Sequence, residues 1–424
     1  MDTIVALSSG RPPAAIGIVR ISGPAAFAAA TALVGPLPPP RRASLRLAKD
    51  LAGASLDRLL VLVFPGTTST TGEDLVELHC HGGRATIDAV LGALLDHRNV
   101  RRAEAGEFTR QALTNGRLDL AQAEGLADLL EAETEAQRRV ALSAAEGRTS
   151  SAILGWMDTV ALLSAQVEAL LDFADEDDVT RDLALFAQVR AGAEALAGEM
   201  DAVLAAPPVD RIRDGIRVVI AGPPNSGKST LLNLLAQTEA AIVSPHAGTT
   251  RDRIEVPVRR GEIAYRLTDT AGLTSTDDPV EQIGVFRAGQ AIMAADLLLW
   301  LGDDAPPRSD AIWIHSRADL AGRGELPESR MLATAFDRPW SIDLLWEAIA
   351  SRATSLLPLP DAMTLSAVQF AHVAEARGFL ALNDDMLVSG EQLRLARSAL
   401  AGIIGLNATE QMLDALFNRF CIGK

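Results

Sequence analysis

Lysine is nearly absent from this chain. Of its 39 basic residues only Lys49, Lys228 and Lys424 are lysines. A composition that places arginine wherever a cation serves keeps lysine where a compact ammonium is needed. Lys49 reads as plain surface, but Lys228 sits inside a glycine-bearing loop and Lys424 is the last residue. Cysteine is equally scarce. Cys80 and Cys421 make no disulfide framework, so an oxidising compartment is not indicated and the cytosol is expected. No uninterrupted apolar stretch, Leu59 to Phe64 and Leu297 to Leu301 included, approaches membrane-spanning length, so no membrane association is expected. Met1-Asp2-Thr3 lacks the basic and apolar regions of a signal peptide.

Positive charge is also in deficit. The formal net charge is −16, with +3 on residues 1–117, −13 on 118–209, −4 on 210–356 and −2 on 357–424. Such a chain is a poor general binder of polyanions, because phosphate contact needs positive potential. A nucleic-acid substrate would have to be held by a local surface or by a partner.

What the chain does hold is length and core. Its 424 residues, 48% of them hydrophobic, allow two or three domains. The most informative stretch is Gly222-Pro223-Pro224-Asn225-Ser226-Gly227-Lys228-Ser229, a G-x-x-x-x-G-K-[S/T] phosphate loop. A buried-strand sequence, Ile216 to Ala221, precedes it, and a helix start at Thr230-Leu231-Leu232 follows. A strand feeding such a loop and then a helix aims several backbone N–H groups at one anion. Asn225, Ser226, Gly227 and Thr230 belong to this cradle. Lys228 is expected to reach the β- and γ-phosphates, and the Ser229 hydroxyl to ligate Mg²⁺.

Residues 1–117 read as a small α/β domain. Strands are expected at Ala15 to Ile21, Arg58 to Phe64 and Leu75 to Cys80, and helices at Pro24 to Leu33 and Arg84 to Leu95. His79 and His81 alternate around Cys80 and would face one side of a strand. A turn-end histidine pair is favoured over a metal site, since no third and fourth ligand stand nearby. From Leu118 the helical period takes over, through Leu120, Ala123, Ala127, Leu130 and Thr134, then Ile153 to Phe173, then Ala184 to Leu204, implying three long helices in a bundle over 118–209. Asp175 to Asp178 reads as a solvated loop. Residues 210–356 alternate strand and helix as a doubly wound sheet should. Helical period returns over 357–424, which suggests one bundle interrupted by an inserted domain.

Two further motifs choose the nucleotide. Gly248-Thr249-Thr250-Arg251-Asp252 supplies a threonine, Thr250, for Mg²⁺ and the γ-phosphate. Asp269-Thr270-Ala271-Gly272 then supplies an aspartate for the metal shell and a glycine N–H to sense the γ-phosphate. In this order and spacing the motifs favour a regulatory GTPase over a generic ATPase. The place of the usual guanine-reading N-K-x-D is taken by Ser316-Arg317-Ala318-Asp319, and Thr334-Ala335 stands where Ser-Ala is usual. Asp319 can accept two hydrogen bonds from guanine N1 and N2, so GTP is preferred to relaxed specificity. Leu273 occupies the position of a water-orienting glutamine and, being apolar, cannot serve as one.

At this point the chain resembles the MnmE (TrmE) family of tRNA-modification GTPases. The resemblance spans essentially the whole length. It rests on Asp2-Thr3-Ile4-Val5-Ala6, Gly17 to Gly23, Thr71-Gly72-Glu73-Asp74, Gly106-Glu107-Phe108-Thr109, Leu118 to Glu124 and Phe420-Cys421-Ile422-Gly423-Lys424. It implies a homodimer whose subunit has a folate-binding and dimerisation domain (1–117), a helical domain in two parts (118–209 and 357–424) and an inserted Ras-like G-domain (210–356). It implies potassium activation, with Asn225, Ser244, His246 and Thr249 as K⁺ ligands; the ion would supply the charge that an arginine finger otherwise gives. Glu281 matches the family's catalytic acid, acting on the attacking water through a second water; by itself it also reads as a carboxylate favoured at a helix start. A one-carbon tetrahydrofolate would contact Arg20, Glu77, Arg117, where the family usually has lysine, and Lys424. Cys421 is either a nucleophile or, with no adjacent base, a positioning residue.

The implied activity, with an FAD-dependent MnmG-like partner in a heterotetramer, is modification of C5 of the wobble uridine (position 34) of certain tRNAs. The partner would hold most of the tRNA. The alternative is a GTP-controlled assembly factor, of the ribosome-associated type, without one-carbon chemistry.

Overall fold

The computed structural model describes residues 2–172, 179–237, 240–241, 255–270, 288–330, 332–334, 340–358 and 363–423. The chain divides into two compact units, one of residues 1–127, 144–158 and 397–424, the other of 128–143 and 159–396. It combines two mixed sheets with many helices.

The first unit is built on six strands: β1 (Thr3–Leu7), β2 (Ile16–Ser22), β3 (Ser44–Lys49), β4 (Ser55–Phe64), β5 (Leu75–His81) and β6 (Val100–Arg102). Their order is β3-β4-β5-β2-β1-β6, antiparallel throughout except for the parallel pair β1 and β6. Alternation sends Val19 and Ile21 of β2, Val61 and Val63 of β4, and Val76 and Leu78 of β5 into one core. That core is covered by α1 (Ala26–Val34), through Ala29, Ala30 and Leu33, and by α2 (Arg84–Leu95), through Ile87, Val90, Leu91 and Leu94. Strands β1, β3 and β6 add to those expected. β3 lies at the sheet edge with Leu45 and Leu47 exposed, so it lacks the burial that makes a strand legible.

Residues 397–423 belong to this same unit. Helices α3 (Glu107–Thr114) and α4 (Leu120–Glu131) begin here, and Leu120, Ala123 and Ala127 bury with Leu416, Phe417 and Phe420. Arg110 pairs with Glu410 and Asp414, and Ala105 forms an antiparallel bridge with Ile422. Gly423 holds φ +99°, and a Cβ there would lie 2.3 Å from the Leu7 carbonyl oxygen. Only glycine fits that approach.

Further helices follow: α5 (Glu135–Ala145), α6 (Arg148–Asp172), α7 (Val179–Leu204) and α8 (Asp210–Arg213). α6 is the one helix among the described residues long and apolar enough, by length and composition, to cross a membrane. Its Ile153, Trp156, Val160, Leu163 and Val167 form a buried stripe, the pattern of a core helix.

The second unit is built on β7 (Ile216–Ala221), α9 (Lys228–Gln237), β8 (Ala240–Ala241), β9 (Glu255–Arg260), β10 (Ile263–Asp269), a helical run at 288–294 (α10), β11 (Leu297–Trp300), β12 (Ile312–His315) and β13 (Leu332–Ala333). It also holds α11 (Trp340–Leu356) and α12 (Ala367–Phe379), and α13 (Met386–Ile403) begins there; α14 (Glu410–Phe417) belongs to the first unit. The sheet order is β13-β12-β11-β7-β10-β9-β8, and β10, β7, β11, β12 and β13 run parallel. On one face α9 and α11 bury Leu231, Leu232, Leu235, Leu345, Trp346 and Ile349; on the other Ala291, Ile292 and Ala295 cover Val219 and Leu298.

The Val209 N–H donates to the Leu365 carbonyl (2.9 Å), so the chain enters and leaves the sheet-bearing segment at adjacent points. Parallel neighbours usually need a helical crossover. Yet residues 301–311, between β11 and β12, and the described residues 316–330, between β12 and β13, contain none.

Candidate functional site

Parallel strands end at one edge of the sheet, and the loops that leave them converge there. β7 ends at Ala221, and the loop 222–227 returns the chain into α9, whose first residue is Lys228. Gly222, Asn225 and Gly227 all take positive φ, at 153°, 58° and 97°. Asparagine is among the few non-glycine residues that tolerate this conformation. A Cβ on Gly222 would lie 3.0 Å from Ser226 Oγ and 3.2 Å from the Leu301 backbone, so the loop is pressed against the end of β11.

Lys228 is 6% exposed, and its Nζ donates to the Gly222 (3.0 Å) and Pro223 (2.9 Å) carbonyls of its own loop. Burial lowers its pKa, while Asp269 opposes the shift. An ammonium held by two carbonyls inside the cradle is available to an anion that enters it. Ser229 and Thr230 are exposed on the first turn of α9. The Ser229 hydroxyl donates to Asp269 Oδ2, at the end of β10, and Thr270 Oγ1 donates to the Ile220 carbonyl (3.1 Å). A hydroxyl oxygen and a carboxylate oxygen side by side are hard donors of the kind Mg²⁺ takes, so the described half of the set fits that ion.

The third loop leaves β12. Ser316 is buried, and its hydroxyl donates to the Ser226 carbonyl of the phosphate loop (2.8 Å). Arg317 follows at φ +57°, its Cγ lying 3.8 Å from where a Gly227 Cβ would stand. Ala318 N–H donates to the Thr334 carbonyl (3.1 Å), Thr334 N–H donates to the His315 carbonyl (2.8 Å), and Asp319 is exposed. Around this loop His315 donates from Nε2 to the Arg323 carbonyl (2.9 Å) and accepts at Nδ1 from Arg330 (2.8 Å). Arg323 and Arg330 both reach Asp303 (2.9 and 2.7 Å). Arg323, then Arg330, hold the Asp303 carboxyl far below the usual carboxylate range.

In the first unit Arg20 and Glu77 stand opposite each other on β2 and β5, and the guanidinium donates to Glu77 Oε1 through both Nε (3.1 Å) and Nη2 (2.8 Å). The pair is 22% and 17% exposed. Arg20 also lies over the Phe108 ring at 5.7 Å. Arg117 instead donates to the Gly66 (2.9 Å) and Thr67 (2.8 Å) carbonyls. His79 pairs with Glu77 and His81 with Asp57, and no group of three or more metal-ligating side chains occurs among the described residues. Cys80 is buried, and its thiol is pushed up to about 12 by burial, with Asp57 adding to the effect. Cys421 is exposed, beside the Ile422 bridge.

The sequence-derived candidates thus divide. Asn225, Ser226 and Gly227 of the phosphate loop, Lys228, Ser229 and Thr230 of the first turn of α9, Asp269 and Thr270 at the end of β10, and Asp319 after β12 lie at one sheet edge, and Arg20 meets Glu77 on the other sheet. Ser244, His246, Thr249, Thr250, Ala271, Gly272, Glu281 and Lys424 lie outside the described residues. The Ser316–Ser226 tie and the Asp303, Arg323, Arg330 and His315 cluster carry no sequence signal, because their members are spaced 7 to 90 residues apart.

Two family models match the chain: the GTP-binding protein TrmE N-terminus over residues 3–117, and the MnmE helical domain over residues 120–421. Among curated proteins, the tRNA modification GTPase MnmE of Erythrobacter litoralis is 50% identical over 428 residues, covering all of both chains. That of Rhizorhabdus wittichii is 50% identical over 430 residues, covering all of this chain and 97% of its own. That of Novosphingobium aromaticivorans is 46% identical over 436 residues, covering all of both.

Proposed function

The chain belongs to the MnmE family of tRNA modification GTPases, and on that footing we propose a potassium-activated switch that serves one-carbon chemistry on tRNA. The protein is a GTP hydrolase acting in tRNA modification. The observation that carries the reading is the convergence of the phosphate loop, the Ser229–Asp269 contact and the Ser316–Asp319 loop at one sheet edge. The adjacency of Val209 and Leu365 supports an inserted G-domain at 210–356 within a helical domain of 118–209 and 357–424, after an N-terminal domain of 1–117.

In this reading the N–H groups of the loop and of the α9 N-terminus hold the nucleotide phosphates, and Lys228 turns from its two loop carbonyls to the β- and γ-phosphate oxygens. Ser229 and Asp269, joined by Thr250, hold Mg²⁺, which neutralises phosphate charge when bound. Asn225 offers an amide oxygen toward K⁺, its left-handed backbone setting the side chain at the exposed rim of the loop. Ser244, His246 and Thr249 complete that set, Ala271 and Gly272 sense the γ-phosphate, and Glu281 orients the attacking water. Asp319 reads guanine N1 and N2.

Arg20 and Glu77, with Arg117, Lys424 and Cys421 as a positioning residue, serve a one-carbon tetrahydrofolate. The enzyme acts as a homodimer in a heterotetramer with an FAD-dependent MnmG-like protein, in the cytoplasm. It modifies C5 of the wobble uridine (position 34) of certain tRNAs, and the partner holds most of the nucleic acid, in keeping with the charge of −16. GTP hydrolysis drives conformational change rather than the carbon chemistry.

The purified pair is expected to modify undermodified tRNA only with folate, GTP and K⁺ present, and Glu281→Ala is expected to stop both hydrolysis and modification. Modification that persists in that variant would sink the coupling. Equal hydrolysis rates in K⁺ and Na⁺ would remove the Asn225 assignment. Absence of saturable folate binding to the full chain in calorimetry would favour the assembly-factor alternative.

A further inference from the structure

The residue in the usual asparagine position of the guanine-reading loop has a different partner. Ser316 is 3% exposed, and its hydroxyl has a single proton, given to the Ser226 carbonyl 2.8 Å away. Ser226 lies in the phosphate loop, 90 residues earlier in sequence. The Ser316 carbonyl in turn accepts from Arg323 Nε (3.2 Å), and Arg323 is clamped on Asp303. Arg330 ties His315 to the same carboxylate and stacks over the Trp313 ring at 5.5 Å. Trp313 Nε1 donates to the Gly302 carbonyl (2.8 Å), closing the helix-free connection between β11 and β12. These arginines and the indole tie together two connections that lack the crossover helix usual between parallel strands.

We propose that Ser316 is a positioning residue that locks the base loop to the phosphate loop, and that it makes no contact with the base. The inference rests on the guanine reading of Asp319. With guanine N1 and N2 on Asp319, the base's remaining recognition atoms are O6 and N7, both acceptors. The Ser316 proton is committed to Ser226 and serves neither. The chain therefore reads guanine through Asp319 with a base loop held rigid by Ser316, and N7 contributes nothing to affinity through this position.

The test uses the full-length protein and competition for a fluorescent GDP analogue. Wild type is expected to bind 7-deaza-GTP, which lacks the N7 acceptor, within about twofold of GTP. Ser316→Ala leaves the Ser226 carbonyl unsatisfied and is expected to weaken GTP and 7-deaza-GTP equally, about tenfold, the effect of one buried hydrogen bond. It should raise KM in proportion and leave kcat within about twofold, as expected for lost uniform binding. Ser316→Thr keeps the hydroxyl and should restore affinity. A 7-deaza-GTP affinity tenfold below that of GTP in wild type would overturn the proposal without reference to any variant's folding. So would unchanged affinity in a folded Ser316→Ala protein. Equal wild-type binding of ATP and GTP would instead remove the guanine reading on which the proposal rests.

Discussion

The two sheets place chemistry in different parts of a strand. In the antiparallel six-stranded sheet, polar groups sit on the face, where register decides who meets whom: Arg20 faces Glu77 because β2 pairs with β5 in that register. A slip of β2 by one residue would turn Arg20 to the opposite face and part it from Glu77. In the parallel part of the seven-stranded sheet the strands are nearly all apolar, as burial on both faces requires, and polar groups gather past their ends. Gly222, Asn225, Gly227 and Arg317 make that possible by adopting left-handed or near-extended positive φ. A face site is thus part of the sheet's stability. An edge site is largely separable from it, and the phosphate loop can carry strain that the core beneath it does not feel.

The largest expected effect tests the separable side. Lys228→Ala should reduce GTP hydrolysis by about 100-fold or more, the scale for losing one charge-stabilising donor. Thermal unfolding should shift little or upward, because the substitution removes a buried ammonium. A marked loss of melting temperature would break the contrast between edge and face.

The face site should behave in the opposite way. Arg20→Ala leaves the Glu77 carboxylate half-buried beside His79 and should cost about 1–3 kcal/mol in denaturant unfolding, with GTP hydrolysis unchanged. Replacing both partners by leucine should recover part of that loss, since the unpaired charge is gone.

Cys80 and Cys421 sharpen the comparison within the first unit. An alkylating reagent at pH 8 should label Cys421 and spare buried Cys80, read by mass spectrometry. Unfolded, Cys80 releases its proton near 9.0; folded, it keeps it to about 12. Above pH 9.0 the unfolded state therefore binds fewer protons, and stability falls as pH rises through that window. A Cys80→Ala variant should lose this contribution to the slope. The smallest effect expected is that of Asp303→Ala. Its carboxylate is 59% exposed, so GTP affinity should fall only about two- to threefold in the same competition measurement.

How much was legible follows from how local each feature is. Ile216–Ala221 is a strand and Lys228 opens a helix as the phosphate-loop pattern requires, because eight contiguous residues carry the whole instruction. The period of α6 predicted its buried stripe for the same reason. β1, with four of its five residues fully buried, has no alternation to read, and the long helical run from Leu118 conceals a break between α4 and α5. Ser316 stood out as a departure from N-K-x-D, but its partner is a backbone carbonyl 90 residues away.

By itself, then, the sequence determined the elements whose causes lie within a few turns of chain: the glycines and asparagine of the cradle, the helical stripes and the rare lysine at 228. Only the tertiary structure decided that Arg20 meets Glu77, that Ile422 bridges Ala105, and that Ser316 holds Ser226 while Arg323 and Arg330 share Asp303. The reason is physical. A backbone conformation is set by neighbours along the chain, whereas a side chain's partner across tens of residues depends on register and on how the cores of the two sheets close.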